Sequence, residues 1–345
     1  MAGKLKVLIA EDSGLMQLLI QKILRSDEGI EVVGKVANGK DAYEFTLKNQ
    51  PDVVIMDIQM PEYDGLYGVR EIMAHCPTPI VVLSALGYTN INPIMESLKL
   101  GAFDYLNKPI GDIKLKVIDS EIIRKVKLAA KVGVRKSFDI PERPRVKTFF
   151  GKSNYELLII GSSTGGPTAV EKLLSRLPMN LPLAVLVVQH MPPNFIYSFT
   201  QRLDSMLPHS VKVGYAGTVI KPGEIYVAMG DRNTTLVKNE EGEIVIEESA
   251  KNFPEYNNPS INSMMYAAAE LYEGKAIGVI LTGMGRDGAK GLKEIRNHGG
   301  YAIAQDKETS VVFGMPKVAI DNGSVHEVIP IDTMGEYIVG LLSRI

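Results

Sequence analysis

Two α/β domains in tandem are what this sequence predicts: a (βα)5 sheet first, then a doubly wound parallel sheet with a small antiparallel hairpin. Three observations carry that expectation. Short apolar runs alternate with stretches of helical period, and this rhythm occurs twice along the chain. A basic, proline-containing stretch separates the two occurrences. The length of 345 residues also exceeds what one hydrophobic core ordinarily serves.

The first rhythm places strands at Leu5–Ala10, Glu31–Val36, Val53–Met56, Ile80–Leu83 and Phe103–Leu106, with helical stretches such as Leu15–Leu24 and Lys40–Leu47 between them. Strands joined by crossover helices form a parallel sheet, here of the flavodoxin-like order 2-1-3-4-5, and ligands then meet the strands' carboxyl ends. From about Arg124 to Lys152, lysines and arginines interleave with Pro141, Pro144 and few acids, which reads as a connector. The expected boundaries are therefore 1–124, a basic linker over 125–151, and 152–345.

The second rhythm has strands at Glu156–Gly161, Leu183–Gln189, Ala276–Thr282 and Tyr301–Gln305, with Ile261–Leu271 among its helices. These strands read as buried on both faces. Gly223–Met229, Thr234–Val237 and Ile244–Glu247 are shorter, and the turn at Glu241-Gly242 predicts an antiparallel hairpin at one edge.

Composition narrows the class. Hydrophobic residues make up 45% and charged residues 23%, as in folded globular proteins, and a net charge of -2 argues against a protein built around nucleic-acid phosphates. Cys76 is the sole cysteine, which excludes an intrachain disulfide and a multi-cysteine zinc site and fits a reducing compartment. The Leu5–Ala10 run is too short for a signal-peptide core, and no segment approaches the ~18 apolar residues of a membrane span. The expectation is a cytoplasmic protein without membrane insertion.

Three carboxylates fall at strand ends of the first domain: Glu11 and Asp12 after the first strand, Asp57 after the third. Lys108 ends the fifth. Acids clustered at the edge of a parallel sheet repel one another unless a hard cation bridges them, and Mg²⁺ suits such a site. Lys108 is placed to pair with a phosphoryl oxygen. With Glu11-Asp12-Ser13, the run from Asp57 through Met60-Pro61 to Asp64-Gly65, Ser84-Ala85, and Tyr105 three residues before Lys108-Pro109, residues 4–125 resemble response-regulator receivers. The resemblance implies that Asp57 accepts a phosphoryl group from a histidine kinase, that Glu11, Asp12 and Asp57 hold Mg²⁺, that Ser84 hydrogen-bonds the phosphoryl group, and that Tyr105 is a rotamer switch. Glu11 stands where aspartate is common in that family.

In the second domain, Gly161-Ser162-Ser163-Thr164-Gly165 has the G-x-S-x-G spacing, after an apolar strand and before a helical stretch starting at Pro167. Such a turn lifts a serine hydroxyl clear of the sheet, while amides at the following helix start can face an oxyanion. A nucleophilic serine needs a base, and His190 directly follows Leu183–Gln189 at the same sheet edge. His75, His209, His298 and His326 are less well placed. For the orienting acid, Asp287 follows Ala276–Thr282 within a glycine-bearing loop; Asp306 follows a similar strand, and either aspartate could instead cap a helix.

Through Gly161–Pro167, Gln189-His190-Met191-Pro192, Leu281–Gly288 and Phe313-Gly314-Met315-Pro316, residues 152–345 resemble the catalytic domain of the chemotaxis protein-glutamate methylesterases. The resemblance implies Ser163 as nucleophile, His190 as base and Asp287 rather than Asp306 as acid, with backbone amides of Thr164, Gly165, Gly166 and Met284 as oxyanion donors. Ser162 stands where alanine is common. The implied reaction hydrolyses glutamyl methyl esters on the cytoplasmic domains of chemoreceptors, with glutamine deamidation by the same acyl-enzyme route and no cofactor for either. The implied partners are a chemotaxis histidine kinase and those receptors, with the unphosphorylated receiver restraining the esterase. A receiver-controlled esterase for another substrate is the alternative, since a triad specifies a reaction class and not a substrate.

Overall fold

In a computed structural model the described residues are 3–84, 91–108, 115–134, 153–230, 233–249 and 259–343, the side chains of 115–118 excepted. The chain divides into two compact units, Met1–Asp139 and Ile140–Ile345. Ala85, Pro109 and the greater part of the expected linker, 135–151, lie outside the described residues.

The first unit alternates strand and helix five times: β1 (Leu5–Ala10), α1 (Gly14–Arg25), β2 (Ile30–Val36), α2 (Gly39–Asn49), β3 (Val53–Asp57), α3 (Gly65–His75), β4 (Ile80–Ser84), α4 (Asn92–Lys99), β5 (Asp104–Asn107) and α5 (Leu115–Val132). Its sheet is parallel throughout in the expected order β2-β1-β3-β4-β5. The central strands β3 and β4 are buried at every position, as continuous β-branched runs covered by helices on both faces must be. Ser13, Asn38 and Asp64 cap α1, α2 and α3 by accepting amide hydrogens from Met16, Asp41 and Tyr67, which starts each helix just beyond a strand end. Helix α5 runs past 124, where the basic composition reads as linker. Ile122, Val126 and Ala129 recur on one face and are fully buried, while Lys125 and Lys127 pair with Asp104 and Asp27. The apolar period outweighs the basic composition there.

The second unit contains β6 (Leu157–Ser162), α6 (Gly166–Leu174), β7 (Ala184–Gln189), α7 (Pro193–Met206), β8 (Val211–Gly214), β9 (Ile225–Ala228), β10 (Thr234–Lys238), β11 (Ile244–Glu248), α8 (Ile261–Tyr272), β12 (Ala276–Ile280), α9 (Ala289–Asn297), β13 (Tyr301–Gln305), α10 (Met315–Asp321), β14 (Glu327–Ile329) and α11 (Ile331–Leu342). Seven strands form one parallel sheet ordered β14-β13-β12-β6-β7-β9-β8. One correction concerns the expected hairpin. Among the described residues β10 and β11 form the antiparallel hairpin across Glu241-Gly242, but as a separate two-stranded sheet, whereas Ile225–Ala228 joins the main sheet between β7 and β8. Its Ile-Tyr-Val-Ala run is buried throughout, a both-faces-covered pattern unlike the part-exposed β10.

One face of the sheet packs against α8, α9 and α10, with Leu157, Ile159, Leu186, Met264, Met265, Ile280 and Leu292 among its buried members, while Leu158, Ile160, Leu173, Phe199 and Ile338 are fully buried outside that cluster. Strand β6 has β7 on one side and β12 on the other, and the chain winds outward from it in both directions. The carboxyl end of β6 is therefore the topological switch point, where open parallel sheets form their crevice. No helix among the described residues is long and apolar enough to cross a membrane.

Candidate functional site

At the switch point β6 ends in Ser162 and the chain turns through Ser163, Thr164 and Gly165 into α6. Gly165 has φ +73°, the left-handed conformation that makes the turn sharp enough to leave Ser163 partly accessible beside fully buried Ser162. The Ser163 backbone is held on both sides: its N–H donates to Thr282 O at 3.1 Å, and its carbonyl accepts from Gly166 N–H at 2.7 Å. Those bonds leave neither the Ser163 amide nor the Gly166 amide for an oxyanion in this conformation, which corrects the expectation for Gly166. Thr282 braces the turn further, since its hydroxyl donates to Thr164 O at 2.9 Å and accepts from Val312 N–H at 2.8 Å.

His190 lies one residue beyond β7, the neighbour of β6, and its side chain is 7% exposed. Its Nε2 is 2.9 Å from Asp287 Oδ2. Asp287 is itself held by the start of α8: Oδ2 accepts from Ile261 N–H at 2.8 Å, and Oδ1 from Asn262 N–H at 3.0 Å and Gly288 N–H at 2.9 Å. A helix N-terminus leaves its first amides without intrahelical partners, and the Asp287 oxygens supply them. Asp306 has a different occupation, accepting from Thr309 N–H at 3.2 Å and from the Thr309 hydroxyl within its own loop.

The remaining histidines are engaged with local backbone. His75 and His298 meet carbonyls one turn back, His209 meets Pro178 O, and His326 accepts from Ala302 N–H. Two participants escaped the sequence reading, the α8 start and the Gln189 carboxamide. Ser260 preceding an apolar helical run is an N-cap signal that could have marked the α8 start as a helix terminus.

In the first unit, Asp57 ends β3, Glu11 follows β1 and Lys108 follows the edge strand β5, all at the carboxyl edge of that sheet. Lys108 Nζ lies 2.7 Å from Asp57 Oδ2 and 2.8 Å from Glu11 Oε2. Carboxylate oxygens of Glu11, Asp12 and Asp57 all come within 4.8 Å of one another. Burial raises the pKa of both Glu11 and Asp57, and Lys108 offsets this in part. For Lys108, burial works against the charge, yet hydrogen bonds to the two carboxylates lift its pKa above the ordinary value. Two buried carboxylates and a third exposed one, all hard oxygen donors with one lysine between two of them, fit a small divalent cation such as Mg²⁺.

Ser84 is buried at the end of β4 beside this pocket, and its carbonyl accepts from Lys108 N–H at 2.7 Å. Tyr105 is buried on β5, with Lys125 Nζ 5.3 Å from its ring centroid and donating to its carbonyl at 2.7 Å. Burial first, and then Asp104, pushes the Tyr105 phenol well above its usual pKa.

The CheB methylesterase family model matches residues 158–338, and the response regulator receiver domain model matches residues 7–118. The chain belongs to the CheB methylesterase family. Family members named protein-glutamate methylesterase/protein-glutamine glutaminase align along nearly the whole chain. The Pyrococcus horikoshii protein is 38% identical over 98% of this chain and 94% of its own length, and the Thermotoga maritima protein 37% identical over 98% of each. The crystal structure of the Thermotoga maritima CheB methylesterase catalytic domain is 41% identical, with a TM-score of 0.52, over 54% of this chain and 98% of that one. The receiver match thus precedes the methylesterase match along the chain.

Proposed function

We propose that the chain is a phosphorylation-regulated protein-glutamate methylesterase of chemotaxis, acting in the cytoplasm on glutamyl methyl esters of chemoreceptors and deamidating receptor glutamines. The observation that carries this reading is the His190–Asp287 bond at the sheet edge that also bears Ser163, in a chain aligned nearly end to end with methylesterases.

Ser163 Oγ attacks the ester carbonyl while His190 takes its proton. With Nε2 bonded to Asp287, Nδ1 is the nitrogen that receives it, and Asp287 holds the tautomer and stabilises the cation. His190 then protonates the departing methanol. Water, activated by the same imidazole, frees the glutamate, and with a glutamine substrate ammonia leaves in place of methanol. Amides of Thr164, Gly165 and Met284 face the oxyanion.

In the receiver, Asp57 accepts the phosphoryl group from a histidine kinase. Mg²⁺ held by Glu11, Asp12 and Asp57 would offset the charge on the phosphoryl oxygens; Lys108 pairs with one oxygen and the Ser84 hydroxyl with another. Tyr105 reads the new charge as the rotamer switch.

The reading is tested by methanol release from methylated receptor membranes set beside hydrolysis of a generic ester, with and without a phosphodonor. Cleavage of the generic ester alone would reject the substrate assignment. The domains expected over 1–124 and 152–345 allow a test of control: residues 152–345 expressed alone should outpace the intact, unphosphorylated chain. Equal or slower turnover by a folded fragment would replace restraint by the receiver with activation through it.

Asp57→Asn should abolish labelling by a phosphohistidine donor and also stabilise the receiver. Burial raises the Asp57 pKa, so its ionised form costs folded-state stability above that raised value. The cost vanishes as pH falls below the unfolded value of about 3.9, where the carboxyl is protonated in both states. In metal-free buffer the variant should unfold at a higher temperature than the parent at pH 7 to 8, with the two converging toward pH 4. A lower midpoint at pH 8 contradicts this account of the pocket.

A further inference from the structure

The nucleophile and the base come from adjacent strands, and one buried side chain touches the backbone of both. Gln189, the last residue of β7 and 1% exposed, donates through Nε2 to Ser163 O at 3.0 Å and to His190 O at 3.0 Å. Its Oε1 accepts from Ser162 Oγ at 2.6 Å. The orientation of the amide follows from its partners: two carbonyls can be met only by the NH₂ group, and the hydroxyl hydrogen only by the oxygen. Both donors and the acceptor are thus engaged, as a buried carboxamide requires.

The surrounding backbone preserves this arrangement. Ser162 pairs with Gln189 in the β6–β7 ladder, and His190 N–H donates to Ser162 O at 3.0 Å. A Cβ at position 166 would lie 2.2 Å from Gln189 Oε1, so Gly166 keeps open the space the amide occupies.

We propose that Gln189 is a positioning residue that sets the separation of nucleophile and base, its carboxamide tying the Ser163 and His190 carbonyls to one nitrogen while Ser162 anchors its oxygen to β6. The β6–β7 pairing ends at Ser162 and Gln189, with His190 N–H to Ser162 O as its last backbone bond, and the two reactive residues follow directly. Without the amide, the Ser163 carbonyl keeps its bond from Gly166 N–H, but the one nitrogen that ties it to the His190 carbonyl is lost. Proton transfer from Ser163 to His190 depends on sub-ångström placement, and a displacement of roughly 1 Å costs on the order of 10² in rate. Ser162, whose hydroxyl donates into this amide, acts only through Gln189.

The inference rests on the assignment of Ser163 and His190 above, and the test separates the two. A small alkyl fluorophosphonate reads the reactivity of the serine without any receptor substrate. Gln189→Met, which keeps length and removes both donors, should lower the rate of phosphonylation and kcat for receptor ester by about 10²-fold, with KM within about twofold. Gln189→Glu at neutral pH should be at least as impaired, since a carboxylate would face two carbonyl oxygens. The phosphonylation rate of that variant, normalised to wild type at each pH, should recover as the pH falls, because its carboxyl, once protonated, again donates to one carbonyl. Ser162→Ala should lose no more than about fivefold.

Independently of any variant, the Gln189 side-chain amide hydrogens of the wild-type chain should exchange with solvent far more slowly by NMR than those of free glutamine. Exchange at the free rate would overturn the proposal even if every Gln189 variant failed to fold. A folded Gln189→Met chain labelled at Ser163 at the wild-type rate would overturn it alone. Wild-type labelling at a residue other than Ser163 would overturn the nucleophile assignment and this inference together.

Discussion

Ser163→Ala is expected to lower the rate of receptor-ester hydrolysis by on the order of 10⁶, the scale of nucleophile loss in serine triads. The neighbouring hydroxyl cannot take over. Ser162 is fully buried, and its Oγ is engaged with Gln189. The loss should fall on turnover and not on folding, because the bonds that hold residue 163 in place use its amide and carbonyl, which alanine keeps. The unfolding midpoint should therefore stay near the parent value, and a methylated receptor should still bind. Methanol release by purified protein is the measurement. Activity within tenfold of the parent would show that Ser163 is not the nucleophile.

The parts of this molecule that were legible in the sequence are those whose signal is local. Val53–Asp57 and Ile80–Ser84 read as strands because both faces are buried and the apolar run is unbroken. Parallel strands put every strand-following residue on one edge, so Asp57, Lys108, Ser163 and His190 could be grouped before any distance was known. Short edge strands lack that signal. Val211–Gly214 has an exposed Lys212, and Glu327–Ile329 is exposed at two of three positions, so neither differs from a loop in pattern. Gly223–Met229, short and close before β10, reads with the hairpin, although its buried run Ile225–Ala228 belongs to the main sheet. In the site, adjacency to a strand end and the glycine-bearing loop favour Asp287 but leave Asp306 open on the residues alone. What separates them is a contact across the fold: Asp287 meets amides 25 and 26 residues earlier in the chain, while Asp306 folds back on Thr309. The partners of a side chain three bonds from the backbone, such as the Gln189 amide, have no spacing rule at all.

The environment of Asp287 makes its replacement by asparagine an unusually severe test, with an expected fall in kcat of about 10⁴, as loss of the orienting carboxylate costs in other triads. Asparagine is close in shape, but every hydrogen bond that Asp287 makes here is one that it accepts. Oδ2 takes His190 Nε2 and Ile261 N–H; Oδ1 takes Asn262 N–H, Gly288 N–H and, at 3.5 Å, the Ser260 hydroxyl. If the asparagine NH₂ stood in the Oδ2 place, it would face the Ile261 amide hydrogen and force His190 into the other tautomer, protonated at the nitrogen that must receive the serine proton. If it stood in the Oδ1 place, it would face two amide hydrogens at the α8 and α9 starts. Both orientations oppose donors to donors in a buried site, and leaving a buried donor unmet costs about 1 to 3 kcal/mol. The variant should therefore lose stability as well as turnover, unlike Ser163→Ala. A lowered unfolding midpoint together with the drop in kcat is the expected pair of results. Near-normal kcat in Asp287→Asn would remove this carboxylate from the mechanism, whereas a 10⁴-fold loss with an unchanged midpoint would mean that the amides at the α8 start do not bind it as tightly as their distances imply.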